Sequence, residues 1–496
     1  MLLGMLITLP SGGLAISDLT GAIALDLSHA AVIPEDSAWF TPGMIVLIDG
    51  VYEEEEEVAG KGLSGSSGVG GTIGGRFQGF FIGQPPCEKR KATLGVSGPD
   101  GSGPDNTIGG GFGWIDFLGV GSERAVGSRM RRIENRLLRQ PAALLASDPD
   151  APRRGRIVVV GELNLDQPRT LQALKKILAL YAAEPEGSTP MTFVLAGNFT
   201  SHAVMARGGS GGGGGSIEYK ECFDALASAL ADFPTLLSAS TFVFVPGDND
   251  GWASASSGGA AVPLPRKPVP ALFTSRVRRV FAAANAEAGL SSGGDGQQGG
   301  EAVWTTNPSR LTLFGPSHEI VLFRDDISSR LRRSAVRLKQ PARAEEARDA
   351  GDATAPSDDG EVAMSDGALP APEGDDSMDI DSTAAGAATE TEQPPAIPHN
   401  VQAARKLVKT LLDQGYLAPF KQASRPVHWD HAGAMHLYPL PTAMVLADAG
   451  VPPFCVTYEG CHVMNPGCVL VSGRRGVARW IEYEVGRVGR VRECMF

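Results

Sequence analysis

Acidic and amide side chains recur in this chain directly after apolar runs that end in glycine. RIVVVG, MTFVLAG and TFVFVPG are followed by Glu162, Asn198 and Asp248. Asn164 stands two residues beyond Glu162, Asn249 and Asp250 follow Asp248, and Asn307 lies in TTNPSR. Oxygen ligands gathered at neighbouring strand ends can hold divalent cations. Two cations so held clamp a phosphate and turn a bridging water into hydroxide near neutral pH, so the chemistry would be metal-dependent phosphoester or nucleic-acid hydrolysis. It demands anionic oxygens or imidazole nitrogens at short range. Asn164, Asn198, Asn249 and Asn307 offer only neutral amides, which are weak ligands. Glu162, Asp248 and Asp250 suffice for a single, loosely held cation. His428, His431 and His436 cluster with Asp430, and the His428-x-x-His431 spacing suits a metal, although separate surface histidines are the commoner arrangement. No GxSxG, Walker A or GxGxxG in the context of a strand exit supplies another chemistry.

The elements that must position these residues are readable from apolar periodicity. LLGMLITLP, LAISDLTGAIALDLS, MIVLIDGVYEEE and RFQGFFIG are short strands broken by Gly, Asp and Pro, and they predict a small barrel, with an OB-fold leading, over residues 1–90. Residues 91–155 predict a linker with an aromatic patch at Trp114 and Phe117. An amphipathic helix follows there, whose Arg129, Arg131, Arg132, Arg136 and Arg139 surround Met130, Ile133, Leu137 and Leu138. From 156 the pattern becomes strand, helix, strand, helix, strand, a parallel layered α/β arrangement whose chemistry sits at the C-terminal strand ends. Pro168 suits a first helical turn, with Leu171, Leu174, Ile177, Leu178 and Tyr181 on one face. Further strands AVWTTNP, RLTLFG and EIVLFRD precede a helix from Asp326 to about Ser334. The stretch VQAARKLVKTLLDQG predicts a helix stopped by Gly415, and AMHLYPLPTAMVLAD, CHVMNPG and VARWIEYEV predict strands of a closing sheet.

Charge is unevenly spread. The 496 residues carry 44 Lys and Arg against 56 Asp and Glu, a net of -12. Residues 341–398 alone hold 15 acidic and 2 basic side chains, so the remainder is close to neutral. That segment has few large apolar residues to offset the entropy of ordering, and it predicts a disordered acidic insertion. The six cysteines form no CxxC pair, so neither a zinc ribbon nor a disulfide framework is signalled. The opening MLLGMLITLPSGG lacks a basic n-region and a cleavage site, so a signal peptide is not expected. No apolar run reaches the length of a membrane span. A single-strand nucleic-acid binder would need a basic groove with stacking aromatics. Phe40, Tyr52, Phe77, Phe80 and Phe81 offer aromatics, but basic residues are few before Lys89, and any DNA contact would fall to the Arg-rich segments 275–280 and 330–339.

The strand ends depart together from the binuclear phosphoesterase pattern. Glu162-Leu163-Asn164 stands where Asp-x-His is expected, Gly197-Asn198 where Gly-Asp is expected, and Gly247-Asp248-Asn249-Asp250 where Gly-Asn-His-Asp/Glu is expected. Asn307 replaces an imidazole, and HLYPLP replaces Gly-His-x-His. This set, behind an OB-like module, resembles the B-subunit family of replicative DNA polymerases. LTGAIALDLS, GELNLDQPRTLQALKKIL, FVLAGNFTS, FVFVPGDND, WTTNPSRL, HEIVLFRDD, PVHWDHAGAMHLYPLPTAMVLAD and MNPG carry the resemblance, in order and across nearly the whole chain. IVLFRDD and LYPLP with VLAD favour the epsilon branch over its alpha and delta relatives.

The resemblance implies a fold of α/β plus all-β class, an N-terminal OB-fold barrel followed by an inactivated calcineurin-like phosphoesterase domain built as a two-sheet α/β sandwich. The implied division is 1–90 for the OB-fold domain, 91–155 for the linker, 156–340 and 399–496 for the two parts of the phosphoesterase-like domain, and 341–398 for the insertion between them. It further implies a non-catalytic accessory subunit in nuclear DNA replication, with no cofactor, no metal and no membrane. Its partners would be the C-terminal zinc-binding region of the catalytic subunit of DNA polymerase epsilon and the other subunits of that polymerase, with DNA touched weakly or indirectly. The replicative helicase complex would be reached through a helical domain that precedes the OB module in the epsilon branch, whereas this chain opens directly in that module. Candidate contacts are Trp114, Phe117, Trp429 and Tyr438, each weighed more as core than as interface. The alternative is a metal-dependent phosphoesterase or nuclease with a divergent binuclear site.

Overall fold

The structure is a computed structural model that describes residues 1–33, 38–53, 72–93, 155–185, 188–204, 215–251, 262–290, 299–313, 318–338, 398–421 and 424–496. The basic amphipathic helix with Trp114 and Phe117, and the acidic insertion up to 397, lie outside the described residues.

Strands β1 (Leu2–Thr8), β2 (Leu14–Ser17), β3 (Ala22–Asp26), β5 (Ile45–Glu53) and β6 (Thr72–Gly83) close into a five-stranded barrel. Closure comes from β3, which pairs antiparallel with β2 on one side and parallel with β6 on the other. A two-residue strand, β4 (Ala31–Val32), too short to leave a pattern in the sequence, lies parallel to β6. Alternation fixes which side chains fill the barrel: Leu6, Ile16, Leu25, Val46, Ile48, Phe77 and Ile82 are buried inside it. Of the aromatics weighed as a stacking platform, Phe40 and Phe77 are core, while Tyr52, Phe80 and Phe81 are exposed.

The rest of the described chain is a sandwich of two sheets. The first has the order β10 (Ala302–Trp304), β9 (Thr241–Val245), β8 (Thr192–Ala196), β7 (Arg156–Val160), β16 (Val477–Glu484), β17 (Arg490–Met495). The second has the order β11 (Ser309–Leu313), β12 (His318–Arg324), β13 (Ala443–Ala447), β15 (Cys461–Asn465), β14 (Phe454–Tyr458). The C-terminal strands therefore do not make one closing sheet. β16 and β17 complete the first sheet, while β13, β14 and β15 complete the second.

Strand periodicity of two splits each sheet between two cores. Ile157, Val159, Val194, Val243 and Val245 face Ile320, Leu322, Val445 and Met464 between the sheets. Val158, Val160, Phe193, Leu195, Phe242 and Phe244 face the opposite way, onto helices α2 (Pro168–Ala182), α3 (Ser216–Leu230) and α5 (Ala271–Glu287). Burial on both faces explains why these strands read as continuous apolar runs rather than alternating ones. Helix α5 is not among the elements expected from the sequence. Phe273, Val277, Phe281 and Ala284 form its buried stripe, and Arg276, Arg278 and Arg279 of the 275–280 segment are its exposed face. Between α3 and β9 runs a short helix α4 (Pro234–Ala239).

The outer face of the second sheet packs on the barrel. Val321, Phe323, Met444, Leu446 and Val463 share one core with Leu6, Phe40 and Met44 of the barrel and with Leu407, Leu411 and Leu412 of α7 (His399–Gln414). Gly415 ends α7 in the left-handed conformation at φ 60°, as its position after the apolar stripe predicts. Helix α6 (Ile327–Ser334) follows β12 and sends Ile327 and Leu331 into the same core. The seam is also polar. Thr41 Oγ1 donates to the Pro419 carbonyl at 2.9 Å, and Asp413 of α7 accepts from Gln84 Nε2 at 3.1 Å, Cys87 N at 3.2 Å and Tyr458 Oη at 3.0 Å. The short helix α1 (Arg90–Thr93) sends Arg90 to the Leu440 carbonyl at 3.0 Å, closing the barrel end onto the sandwich.

Candidate functional site: an arginine-filled crevice at the strand ends

The C-terminal ends of β7, β8, β9 and β12 meet at one edge of the sandwich, and the residues singled out by the sequence converge there. Glu162 lies just past β7 with φ 48°, a left-handed backbone that is rare outside glycine. Its carboxylate is fixed by several donors. Asn198 gives Nδ2 at 2.9 Å, and Arg324 gives Nη2 at 2.7 Å and Nε at 3.1 Å.

The amides are occupied by the backbone. Asn198 Oδ1 accepts from Asn249 N at 3.0 Å, and Asn249 Nδ2 donates to the Thr200 and Ser201 carbonyls at 3.0 and 3.1 Å. Asn307 is fully buried and clamps the main chain of Arg324, donating Nδ2 to its carbonyl at 2.7 Å and accepting its N–H at 3.0 Å. Asn164 stays outside the network, with a buried Oδ1 that has no hydrogen-bond partner. Asn198, Asn249 and Asn307 tie loops together, and the side-chain oxygens and nitrogens of Asn198 and Asn307 and the Asn249 nitrogen are engaged in doing so.

The two aspartates of the β9 end point to different partners. Asp250 faces inward, accepting from Gly247 N at 2.8 Å, Phe199 N at 3.0 Å and Tyr219 Oη at 3.1 Å, and Arg266 donates to its main-chain carbonyl. Complete burial pushes its pKa up to about 6 despite these donors and the nearby Arg266. Asp248 faces the crevice, where Arg425 Nη2 bonds its Oδ1 and Arg330 Nη2 lies 3.6 Å from its Oδ2. The same two arginines reach Asp325, whose Oδ2 accepts from Arg330 Nε at 3.1 Å and whose Oδ1 lies 3.4 Å from Arg425 Nε.

Arg324 is buried and pairs with Glu162 and with Asp326 at 3.1 Å. Burial opposes its charge, but Glu162, Asp326 and Asp248 outweigh that and hold its pKa above the ordinary guanidinium range. Asp325, Arg324, Arg330, Arg425 and Arg266 are not among the residues singled out from sequence. Arg330 belongs to a segment expected to face nucleic acid, whereas it turns into the crevice. The available signal is the triplet Arg324-Asp325-Asp326 directly after a buried strand, because charges in that position need partners inside the fold.

A binuclear cation centre does not fit these residues. Glu162, Asp248 and Asp325 are paired with guanidinium groups, Asp250 is held by the Gly247 and Phe199 amides and Tyr219, and Asn198, Asn249 and Asn307 are committed to hydrogen bonds within the fold. The histidine cluster does not join the crevice either. His428, His431 and His436 are exposed, His431 pairs only with its neighbour Asp430 at 3.6 Å, and the His428 and His431 rings stand 6.5 Å apart. Among the described residues no group of three His, Cys, Asp or Glu side chains has the arrangement to hold a metal ion. Trp429, weighed as core, is 85% exposed on a short 3₁₀ turn Trp429–Met435, and Tyr438 is partly exposed.

Residues 157–456 match the family described as the DNA polymerase alpha/epsilon B subunit. The chain belongs to that family. Residues 1–86 match the OB-fold domain described as DNA polymerase epsilon subunit 2-like, the same stretch that forms the closed barrel. The B subunit of DNA polymerase epsilon from Saccharomyces cerevisiae is 29% identical over 97% of this chain and 57% of its own length. The Schizosaccharomyces pombe protein of that name is 28% identical over 95% of this chain and 58% of its own, and DNA polymerase epsilon subunit 2 of Mus musculus is 25% identical over 95% and 62%. The chain thus spans about three fifths of the length of these relatives. The strand-end crevice and its arginines lie within the region that matches the B-subunit family.

Proposed function

We propose that this protein is a non-catalytic accessory subunit of DNA polymerase epsilon in the nucleus. It bridges the C-terminal zinc-binding region of the catalytic subunit to other polymerase subunits and replisome components. The two-sheet sandwich is a calcineurin-like phosphoesterase domain that has lost its chemistry and keeps its shape. The observation that carries this reading is the crevice itself. Every carboxylate turned into it is neutralised by a buried arginine, so it has neither open ligands for a cation nor a base free to activate water. The names of the relatives point to the same polymerase.

A rigid frame suits such a role. Barrel, α7 and second sheet share one core, so a partner that touches both the barrel and the sandwich meets a preformed surface. Exposed Trp429 and Tyr438 are the anchors of choice on that surface, since large aromatics dominate interface energetics. The test is co-expression with the C-terminal region of the catalytic subunit. A stoichiometric complex that survives washing at high salt is the expected result. A chain that ignores that region and hydrolyses a phosphodiester when supplied with manganese overturns the reading.

A further inference from the structure

Two arginines and two aspartates close a ring in the strand-end crevice. Arg425 spans Asp248 Oδ1 and Asp325 Oδ1, and Arg330 spans Asp248 Oδ2 and Asp325 Oδ2. All four carboxylate oxygens therefore face a guanidinium. The four residues come from the β9 end, the β12 end, α6 and the segment before the 3₁₀ turn, so the ring ties both sheets to the elements beyond them. Asp248, Asp325 and Arg425 are buried.

Two carboxylates converging in a buried crevice are what a hard divalent cation seeks. Burial pushes Asp325 toward its protonated form and the neighbouring Asp248 adds to this, while Arg425 and Arg330 pull it back. Without the guanidinium groups the pair would have to take up a proton or a cation. We propose that Arg330 and Arg425 are resident cations of this crevice, and that their positive charge, rather than the loss of histidine or aspartate ligands, is what excludes divalent metal. The inference deepens the proposed function and rests on its reading of the strand ends. It separates two routes to an inert crevice. If missing ligands were the cause, removing Arg330 would open no site, and an imidazole returned at Asn249 would be a first step toward binding. If the arginines are the cause, the ring still stands in that variant and metal stays out.

The experiment is a Mn²⁺ titration by calorimetry on the full chain and four variants, each checked for folding by near-ultraviolet circular dichroism. Arg330→Ala is expected to gain a single site at least about tenfold tighter than any binding by the unaltered chain. Arg330→Ala with Asp325→Asn loses that gain, and Asn249→His alone shows none. Arg330→Gln, closer in size, keeps the test open if the alanine variant does not fold, and it also gains the site. Manganese uptake by Asn249→His, or a folded Arg330→Ala or Arg330→Gln that binds no more Mn²⁺ than the unaltered chain, overturns the proposal. Co-elution with the catalytic subunit's C-terminal region is read on the unaltered chain alongside. Its absence there counts against the proposed function alone and leaves the metal result to stand or fall separately.

Discussion

Arg324 donates to Glu162 at 2.7 Å through Nη2 and to the Gly197 carbonyl at 2.9 Å through Nε, so a single guanidinium ties the β12 end to the ends of β7 and β8. Both partners lie at positions where a phosphoesterase-like reading expects chemistry. A buried ion pair adds little over an apolar replacement, but breaking one member leaves an uncompensated charge. Arg324→Ala is therefore expected to destabilise the chain by about 3–5 kcal/mol. Glu162→Gln combined with Arg324→Met should cost clearly less than the two single changes added together. Urea denaturation of Arg324→Ala, of the two single changes and of their combination checks both statements, and additive costs would show that the pair is not coupled.

Asp250 makes the stability of the chain depend on pH. Its folded-state pKa of about 6 lies above its ordinary 3.8. A raised value means that its contribution is fully present below about pH 4 and is lost as pH rises through about 6. Two pK units correspond to about 3 kcal/mol. Asp250→Asn has no such titration, although it loses an acceptor for the Gly247 and Phe199 amides. The stability advantage of the unaltered chain over Asp250→Asn should shrink by up to about 3 kcal/mol between pH 4 and pH 7. Parallel denaturation curves at both pH values measure it, and a constant difference would mean that folding leaves the Asp250 pKa at its ordinary value.

The seam between barrel and sandwich is sterically tight at Gly43. Its φ of 110° is reserved for glycine, and an added Cβ would meet the Phe420 carbonyl carbon at 2.9 Å. Gly43→Ala should lower stability by about 1–3 kcal/mol. Tyr458→Phe, which removes one donor to Asp413, should cost about 1 kcal/mol. Thermal denaturation ranks the two, and a neutral Gly43→Ala would mean that the barrel docks more loosely than the shared core requires.

Much of this architecture is legible in the sequence. β7, β8 and β9 stand out because burial on both faces leaves a continuous apolar run, and α7 because Leu407, Val408, Leu411 and Leu412 recur at helical spacing before Gly415. Helix α5 escapes because its buried stripe is narrow and its arginines point the eye toward nucleic acid. The convergence of Glu162, Asn198, Asp248 and Asn249 follows from their shared place at strand ends. The arginines do not, because Arg425 lies 177 residues from Asp248 and 100 from Asp325, and no local pattern pairs them. Trp429 escapes for a general reason: composition favours tryptophan in a core, and only a fold can show that a short turn carries it outward.

Trp429→Ala should leave stability within about 0.5 kcal/mol, since the side chain is exposed. If it anchors the polymerase partner, the same change should weaken binding about tenfold or more. Chemical denaturation and a binding titration with the catalytic subunit's C-terminal region separate the two effects. Unchanged binding would remove Trp429 from the interface.

The most direct test of the accessory role is analytical ultracentrifugation of the chain mixed with the C-terminal zinc-binding region of the polymerase epsilon catalytic subunit. The account predicts one co-sedimenting boundary at equimolar stoichiometry. Two boundaries that move at the rates of the separate proteins would contradict it.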